Sequence, residues 1–571
     1  MPRSPVPRAR YRGAGLDGWA RAVARRRSLQ DLDVWARRAG MVLPPVRDYR
    51  EIRTIAVTGA EPGLESYASH AVSGRAKPDA LWAALDHYAE GEFATAATTL
   101  RHLHHRRAQR LAWLLLQLHD RDQVLVRAAS LILWLVEQGG QRSLTATTRG
   151  VLLEALLLLG RRDEAARVLN EGPVPEDLRV RAETDLANPD IGGADHDQWL
   201  ERINASMVSE GCAPVTIADA DTPYLGLRAE ASPVASDTLV TVVISSYRPD
   251  STLLHAVRSV LRSSWTELEV LVVDDASGPA HAALYGQARE MDERVRVHTM
   301  KVNGGTYAIR NWALEHASGE FITFHDSDDW MHSDRIAVQM DFLRSHPASV
   351  ACVTPSMRVT QQLELVNRRS LGSKLCEPSL LFDRVAVTDR LGGFDAVRKA
   401  GDAEFRQRLE KAYGAPVPVV GNAPLTLQLI SDTSLSGGDI SRYTVSMPRR
   451  IYRACYERWH AARSAQGLSL RLDSLAGVPR EFYAPDQLRG VVGQPSVDVT
   501  VTADLLDARR RSPTKDAMSE TRRAVAAGST VGVRHKSGPW HRGRMSVNVP
   551  RELIAMLNAG HVVMLPSEHE V

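Results

Sequence analysis

The chain has few cysteines, and they form no pattern. Only four occur among its 571 residues, and none stands in a Cys-x-x-Cys pair. Closely spaced cysteines mark structural zinc sites and disulfide frameworks, so the sequence signals neither kind of site. We expect buried thiols in a reducing compartment. The four residues are Cys212, Cys352, Cys376 and Cys455.

Long apolar runs are also missing. A membrane-spanning helix needs about 18 or more consecutive apolar residues, and runs such as Leu156–Leu159 fall far short of that length. The basic N-terminus has no apolar core of the kind that a secretory signal requires. These absences predict a cytoplasmic protein, with at most a peripheral contact at the inner face of the membrane.

Neither sign of charge dominates. The 71 lysines and arginines and the 68 aspartates and glutamates give a net charge of +3, so we expect no nucleic-acid partner. The N-terminus is an exception, because the arginines of residues 1–27 are met by one acid, Asp17. We interpret residues 1–60 as a basic, partly disordered segment; contact with anionic lipid is the alternative.

A β-α-β unit is predicted near the middle of the chain. The apolar run 239–247 predicts a buried strand, and apolar residues at three- and four-residue spacing over 253–261 predict an amphipathic helix. The run 269–273 then predicts a second buried strand. Ligands of open parallel sheets bind at the carboxyl ends of the strands, so the residues that follow these two runs are candidates for a binding crevice.

Acidic residues follow the predicted strands. Asp274 and Asp275 come after the second strand, and the cluster His325–Asp329 comes after a third apolar run. Alternate residues of an extended segment share a face, so Asp326 and Asp328 can point together. Carboxylate oxygens suit Mg2+ or Mn2+, which also bind water and substrate phosphates. The alternative is an acidic turn that caps the next helix.

The inferred ligand is a nucleotide. A carboxylate can accept hydrogen bonds from a base or a ribose hydroxyl, but no Gly-x-Gly-x-x-Gly loop follows the first strand to hold a pyrophosphate. A metal ion would therefore have to neutralise the phosphates.

The order and spacing of these segments resemble the inverting glycosyltransferases of family two, which have the GT-A fold. The resemblance covers roughly residues 238–460. The matching segments are the strand ending at Tyr247, the acids Asp274 and Asp275, the turn 303–311, the Asp-x-Asp motif at Asp326 and Asp328, and the segments 392–395 and 401–405.

The resemblance implies a role for each matching residue. It implies that Asp328 and Asp326 hold Mn2+ or Mg2+ and that Asp402 is the catalytic base. The donor nucleotide would contact Tyr247, Asp274, Asp275, Gly304, Gly305, Arg310 and Asp326. The acceptor side, or the support of the site, would include Asp329, Glu404 and Gly393.

One position departs from the family pattern. The family often has Glu-Asp where this chain has Gly401-Asp402, so Asp402 aligns as the base without its acidic neighbour. Some members also place a histidine metal ligand after the base, and no histidine lies between Asp402 and Trp459.

The resemblance implies an inverting transfer. An acceptor hydroxyl would attack the anomeric carbon of a nucleoside diphosphate sugar, expected to be UDP-linked, while Asp402 takes the proton. The expected acceptor is a glycan or polymer of the cell envelope or capsule. Two alternatives remain: a helical-repeat scaffold with an inactive transferase domain, and a sugar nucleotidyltransferase. The latter usually has a Gly-rich basic loop where this chain has 245–249, Ser-Ser-Tyr-Arg-Pro.

Helical and α/β regions flank the predicted transferase. Gly91, Ala96, Ala97 and Leu100 recur 69 residues later, which is twice the tetratricopeptide period of about 34 residues. This favours stacked helical repeats with a protein partner on their concave face; a generic helical bundle is the alternative. Near the C-terminus, strand and helix patterns alternate, which predicts a small parallel α/β unit.

The predicted fold class is α/β, with a GT-A nucleotide-diphospho-sugar transferase domain between an all-helical repeat domain and a small α/β module. The predicted divisions are a basic segment at 1–60, helical repeats at 61–175, a linker and docking helix at 176–237, the transferase at 238–465, a linker at 466–490, and an accessory α/β unit at 491–571 that has too few strands for a complete nucleotide-binding domain.

Overall fold

The structure is a computed structural model. It describes residues 78–103, 122–139, 144–189, 196–365, 374–430, 446–473, 480–491, 495–503, 513–535 and 549–566, together with a few single residues between these ranges. The predicted basic segment 1–60 lies outside the described residues.

The first described part of the chain is helical. Its helices share one apolar core that runs from Leu81 to Ala182. Gly91 and Gly160, the equivalent glycines of the predicted repeat, both have positive φ angles, of 85° and 69°, and each ends a turn between two helices where a side chain would be strained. The assignment to tetratricopeptide repeats stays a prediction. The helices are α1 (Pro78–Ala89), α2 (Phe93–Leu100), α3 (Asp122–Gly139), α4 (Ala146–Leu158), α5 (Arg162–Asn170) and α6 (Glu176–Ala187).

A helix and a short antiparallel strand pair connect this region to the central sheet. They are α7 (His196–Ser209), β1 (Val215–Ile217) and β2 (Leu227–Ala229). One face of α7 buries Trp199, Ile203 and Met207 in a cluster that also contains Trp330. The helix that the sequence predicts at this place therefore packs against the central α/β region.

The central sheet has six strands in the order β5-β4-β3-β6-β11-β8. The first four are parallel, and β11 is antiparallel to both of its neighbours. Apolar residues on both faces of β3 and β4 are buried, because helices cover the sheet on both sides. The elements are β3 (Val240–Ser246), α8 (Thr252–Leu261), β4 (Leu268–Asp274), α9 (Ala282–Glu290), β5 (Val295–Thr299), α10 (Thr306–His316), β6 (Phe321–Asp326), β8 (Ala351–Cys352) and β11 (Leu381–Asp383).

The strand register brings the predicted site residues to one edge. Ser246 pairs with Asp274, and Ser245 pairs with Asp326. The carboxyl ends of β3, β4 and β6 therefore lie side by side, as the sequence predicts.

A second sheet begins directly after β6. It has the order β10-β9-β12-β7, and the turn 327–329 connects β6 in the first sheet to β7 in the second. The acidic turn is therefore held between two sheets. The second sheet and its neighbours comprise β7 (Trp330–Met331), α11 (Arg335–Ser345), β9 (Pro355–Val359), β10 (Lys374–Leu375), α12 (Arg384–Leu391), α13 (Gly401–Tyr413) and β12 (Thr426–Leu429).

The C-terminal part is a parallel three-stranded sheet with helices. Its strands follow the order β13-β14-β15. Residues of the predicted linker 466–490, Leu470, Leu472 and Phe482, are buried in the core of the central domain. The elements are α14 (Met447–Ala465), α15 (Asp486–Arg489), β13 (Val499–Ala503), α16 (Pro513–Ala526), β14 (Val531–His535), α17 (Arg551–Asn558) and β15 (Val562–Leu565).

All four cysteines are buried and free, as the sequence predicts. Within the described ranges, every helix is too short or too polar to span a bilayer.

Candidate donor-binding and catalytic site

Asp274 ends β4 and is fixed by hydrogen bonds. Its Oδ1 accepts from the Ser277 amide and from the Tyr285 hydroxyl, both at 2.9 Å. The same hydroxyl lies 3.1 Å from Ser246 Oγ at the end of β3, and burial raises the pKa of Tyr285 to about 12. Tyr285 therefore stays protonated and locks the two strand ends together.

Asp275 holds the glycine turn that precedes α10. Its two carboxylate oxygens accept hydrogen bonds from the amides of Gly304 and Gly305, each at 2.8 Å. Gly305 has a φ of 82°, a conformation that favours glycine. The amides of this turn are directed at Asp275, so its structural role is to anchor the start of α10 at the site.

Arg310 is buried among aromatic rings beside Asp326. Its guanidinium carbon lies 4.5 Å from the centre of the Phe324 ring and 5.5 Å from the centres of the Tyr307 and Phe394 rings. Its Nη2 is 3.9 Å from Asp326 Oδ1, and its Nε has no hydrogen-bond partner among the described residues. A buried cation therefore faces one of the predicted metal ligands.

Tyr247 stands at the mouth of the site. It is 47% exposed, and the Arg248 guanidinium lies 5.0 Å from the centre of its ring. An exposed aromatic ring of this kind can stack on a planar ligand such as a nucleotide base.

Asp326 and Asp328 form a pair of carboxylates with unbalanced charge. The Asp326 side chain is 39% exposed at the end of β6. Burial raises the pKa of Asp328 to about 7, and the charges of Asp326 and Asp250 add to this effect. A divalent cation between the two carboxylates would relieve this repulsion, so the residues present fit the predicted metal.

Asp329 belongs to the framework of the turn. Its carboxylate is buried and accepts hydrogen bonds from the Leu429 amide at 3.1 Å and from Gln428 Nε2 at 3.4 Å. The backbone oxygen of Asp329 lies 3.0 Å from His325 Nε2. The structure thus places Asp329 against β12, where it ties the acidic turn to the second sheet.

Asp402 lies in the first turn of α13. Its charge acts on that of Asp326, whose pKa is raised by burial, lowered by Arg310 and raised again by Asp402. The carboxylate and the amide of Asp402 lie within hydrogen-bonding reach of the Tyr307 hydroxyl, and burial raises the pKa of that hydroxyl above its usual range. The Tyr307 ring lies 5.5 Å from the Arg310 guanidinium, which in turn is 3.9 Å from Asp326 Oδ1, so these contacts bring the predicted base near the predicted metal ligand Asp326.

The geometry at Gly401 explains the departure from the family's Glu-Asp pair. A Cβ atom on Gly401 would lie 2.9 Å from the Cδ2 and Cε2 atoms of Tyr307. The Tyr307 ring thus occupies the place where a side chain at position 401 would begin. In this chain, the hydroxyl of Tyr307 is the polar neighbour of Asp402.

Glu404 is fully buried behind Asp402. It accepts from Arg408 Nε at 2.8 Å and Nη2 at 3.1 Å, and His460 Nε2 lies 2.9 Å from it. Burial alone would raise the pKa of Glu404, but Arg408 and His460 lower it below its usual range. Arg408 also donates to the Gly393 carbonyl at 2.7 Å. Glu404 and Gly393 therefore form an internal support for α13.

Two site residues have no signal in the sequence pattern. Tyr224 donates from its hydroxyl to the Asp328 carbonyl at 2.7 Å. Glu377 pairs with Arg406 at 2.9 Å, and its pKa is raised by burial first and then by the charge of Asp402. Neither residue belongs to a recognisable motif, and both reach the site through tertiary packing.

Asp326 and Asp328 supply two possible metal ligands, and no third side chain completes a cluster with them among the described residues. Across the described ranges, the group of three or more clustered ligand side chains is His87, Glu90 and Glu92, on the helical region. The two carboxylates Asp326 and Asp328 would leave the other coordination positions to donor oxygens and water, an arrangement typical of Mg2+.

Sequence comparison identifies the central domain. Residues 241–399 match the family described as Glycosyl transferase family 2. TuaG of Bacillus subtilis, whose name assigns it provisionally to teichuronic acid biosynthesis, is 35% identical over 105 residues, which are 18% of this chain and 42% of TuaG. The Escherichia coli UDP-Glc:alpha-D-GlcNAc-diphosphoundecaprenol beta-1,3-glucosyltransferase WfgD is 28% identical over 142 residues, which are 25% of this chain and 52% of WfgD.

The matches to solved structures are more distant. S. aureus TarS in complex with UDP-GlcNAc has 21% identity and a TM-score of 0.29, over 34% of this chain and 60% of that one. The mannosyltransferase PcManGT of Pyrobaculum calidifontis, in complex with GDP-Man and Mn2+, has 17% identity and a TM-score of 0.30, over 46% and 70%. TM-scores this low carry no structural argument.

The chain spans about half or less of the length of these curated relatives. The family match nevertheless agrees with the six-stranded sheet and with the acids at its carboxyl edge, and the predicted α/β fold class with its GT-A-like domain is confirmed. The chain therefore contains a match to glycosyl transferase family 2 at residues 241–399.

Proposed function

We propose that the protein is a metal-dependent, inverting glycosyltransferase that moves a sugar from a nucleoside diphosphate to an acceptor hydroxyl. The observation that supports the proposal is the position of Asp326 at the end of β6, beside the ends of β3 and β4, with Asp402 linked to it through Tyr307 and Arg310. A metal-ligand pair and a candidate base are the two groups that this reaction requires.

The chain's own residues would divide the chemistry between them. A divalent cation, when bound by Asp326 and Asp328, would neutralise the diphosphate of the leaving nucleotide. Arg310 would favour the ionised form of Asp326, because its guanidinium lies 3.9 Å away. Asp402 would accept the proton of the attacking hydroxyl, and the exposed ring of Tyr247 would receive the base of the nucleotide.

The name of one relative supports a donor class. WfgD is named as a UDP-glucose transferase acting on an undecaprenol-linked sugar. We infer a UDP-linked hexose or N-acetylhexosamine as donor, and a cell-envelope or capsular glycan as acceptor, with catalysis in the cytoplasm or at the inner face of the membrane. A protein partner at the N-terminal helices belongs to the same proposal.

The test is a binding screen of the full chain against UDP-glucose, UDP-galactose, UDP-GlcNAc and GDP-mannose by thermal shift and calorimetry. Each donor is tested with Mn2+, with Mg2+ and with EDTA. We expect stabilisation by one donor that requires metal and is lost in Asp328→Ala. The control variant is Asp341→Ala, which removes an exposed acid from α11.

Two results would contradict the proposal. Absence of a response to every donor would favour a helical-repeat scaffold with an inactive transferase domain. Metal-dependent donor binding that survives in Asp328→Ala would place the cation elsewhere.

A further inference from the structure

Tyr224 reaches the acidic turn from outside the family match. It lies between β1 and β2 and is 1% exposed. Its hydroxyl is 2.7 Å from the carbonyl oxygen of Asp328 and 3.3 Å from that of Leu427 on β12. A single buried hydroxyl therefore contacts both the turn that carries the candidate metal ligand and the strand beside it.

The surroundings of Tyr224 fix its position. Its amide donates to the Gln361 carbonyl at 3.3 Å, and its ring centre lies 5.3 Å from that of the buried His255. Two residues later, Gly226 allows a tight turn, because a Cβ atom there would lie 2.6 Å from the backbone oxygen of Asp219. The Tyr224 hydroxyl is thus pre-placed before any ligand binds.

The hydrogen bond acts on the backbone of a candidate ligand residue. Asp328 stands in the short connection between β6 and β7, and its neighbour Asp329 is already tied to the Leu429 amide at 3.1 Å. Tyr224 supplies the matching tie on Asp328 itself. With both carbonyl and neighbour held, the Asp328 side chain has a restricted set of directions, which matters because Mg2+ and Mn2+ need well-placed oxygen ligands.

We propose that Tyr224 is a positioning residue for the metal-binding turn: by holding the Asp328 carbonyl, it sets the affinity of the Asp326–Asp328 pair for a divalent cation and thereby for the donor diphosphate. The inference rests on the proposed function. If Tyr224 has this role, the segment that connects the helical region to the central sheet contributes to the donor site.

The test compares Tyr224→Phe with the wild-type chain and with Tyr88→Phe. The control also removes a buried tyrosine donor, since Tyr88 donates to Glu137 at 2.6 Å, but it does so in the helical region. Calorimetry measures the dissociation constant of Mn2+ at saturating UDP, and thermal unfolding in EDTA measures the stability of each metal-free chain. Loss of a group that orients a metal ligand typically weakens metal affinity about 10- to 100-fold.

We expect Mn2+ binding to weaken by about 10-fold or more in Tyr224→Phe, with wild-type Mn2+ affinity in Tyr88→Phe. The inference would be overturned if Tyr224→Phe lost thermal stability but kept the Mn2+ affinity of the wild type. The hydroxyl would then contribute only to the stability of the fold. If the wild type binds neither UDP nor Mn2+, the proposed function itself fails, and this inference fails with it.

Discussion

Gly401 offers a single-atom test of how α13 is seated at the site. Alanine at this position adds one methyl group, whose carbon would lie 2.9 Å from two ring carbons of Tyr307 and 3.1 Å from a third. The ring cannot easily retreat, because Tyr307 is 5% exposed and stacks on Phe394 with ring centres 5.8 Å apart. Either the ring or the first turn of α13, with Asp402, has to move.

Two opposing effects set the magnitude. Overpacking a filled core costs about 1–3 kcal/mol. Replacing a helical glycine with alanine gains about 0.5–1 kcal/mol, because alanine loses less backbone freedom. The net expectation for Gly401→Ala is a loss of about 0–2.5 kcal/mol in the free energy of unfolding, together with reduced turnover, since the Tyr307 hydroxyl is displaced from Asp402.

The assay is urea unfolding near room temperature, paired with the release of UDP from the donor identified by screening. Gly286→Ala is the control, because this glycine lies inside α9 and a Cβ atom there would meet nothing within 4 Å. We expect the control to be slightly more stable than the wild type. Adding Tyr307→Ala to Gly401→Ala removes the clash, so the double variant should lose less than the sum of the single losses. A Gly401→Ala chain as stable as the Gly286→Ala chain would refute the reasoning.

Three further predictions concern charged groups of the site. Asp402→Asn should keep donor binding by calorimetry but lower turnover about 100- to 10,000-fold; normal turnover would remove Asp402 from the role of base. Glu404→Gln should lower the free energy of unfolding in urea by about 3–5 kcal/mol, because Arg408 loses its buried counter-ion. A loss below about 1 kcal/mol would contradict the buried ion pair. The folded pKa of Glu404 is lowered from 4.5, so its stabilising effect is complete above that value and is lost as the pH falls through the folded pKa. The difference between wild type and Glu404→Gln should therefore shrink below about pH 4, and a difference that is constant with pH would argue against an ionised Glu404.

The parts of the fold that the sequence predicts well have local signals. The runs over 239–247 and 269–273 are mostly apolar because both sheet faces are covered, and they form β3 and β4. Gly528 and Gly560 each stand two residues after the last residue of a helix, α16 or α17, and a glycine at this place is a local signal for a helix end. In each case the pattern extends over a few consecutive residues and needs no knowledge of the tertiary structure.

The roles of individual site residues depend on contacts that no local pattern records. Asp275 stands where a nucleotide contact is predicted, yet both of its oxygens accept from a turn about 30 residues away. Glu404 stands two residues after the candidate base, but its carboxylate is in contact with His460, which lies on a helix 56 residues further along the chain. Asp328 closely follows a predicted strand, so its place at the sheet edge follows from topology, whereas Asp402 is assigned only through the family resemblance. A carboxylate at a strand end can thus be located from the sequence, whereas its hydrogen-bond partners cannot.

The long helix α14 shows how the C-terminal module is connected to this chemistry. Ile451 and Cys455 on one face are buried with the β13–β15 module, whereas Trp459 belongs to the core of the central domain.

The connection continues on both sides of the helix. Asn558 of α17 donates to the Cys455 carbonyl at 3.3 Å, and Tyr456 accepts from Gln407 of α13 at 2.9 Å. His460 of α14 lies 2.9 Å from Glu404, two residues after Asp402. The helix that carries the candidate base is therefore packed on a helix whose other face supports the C-terminal sheet.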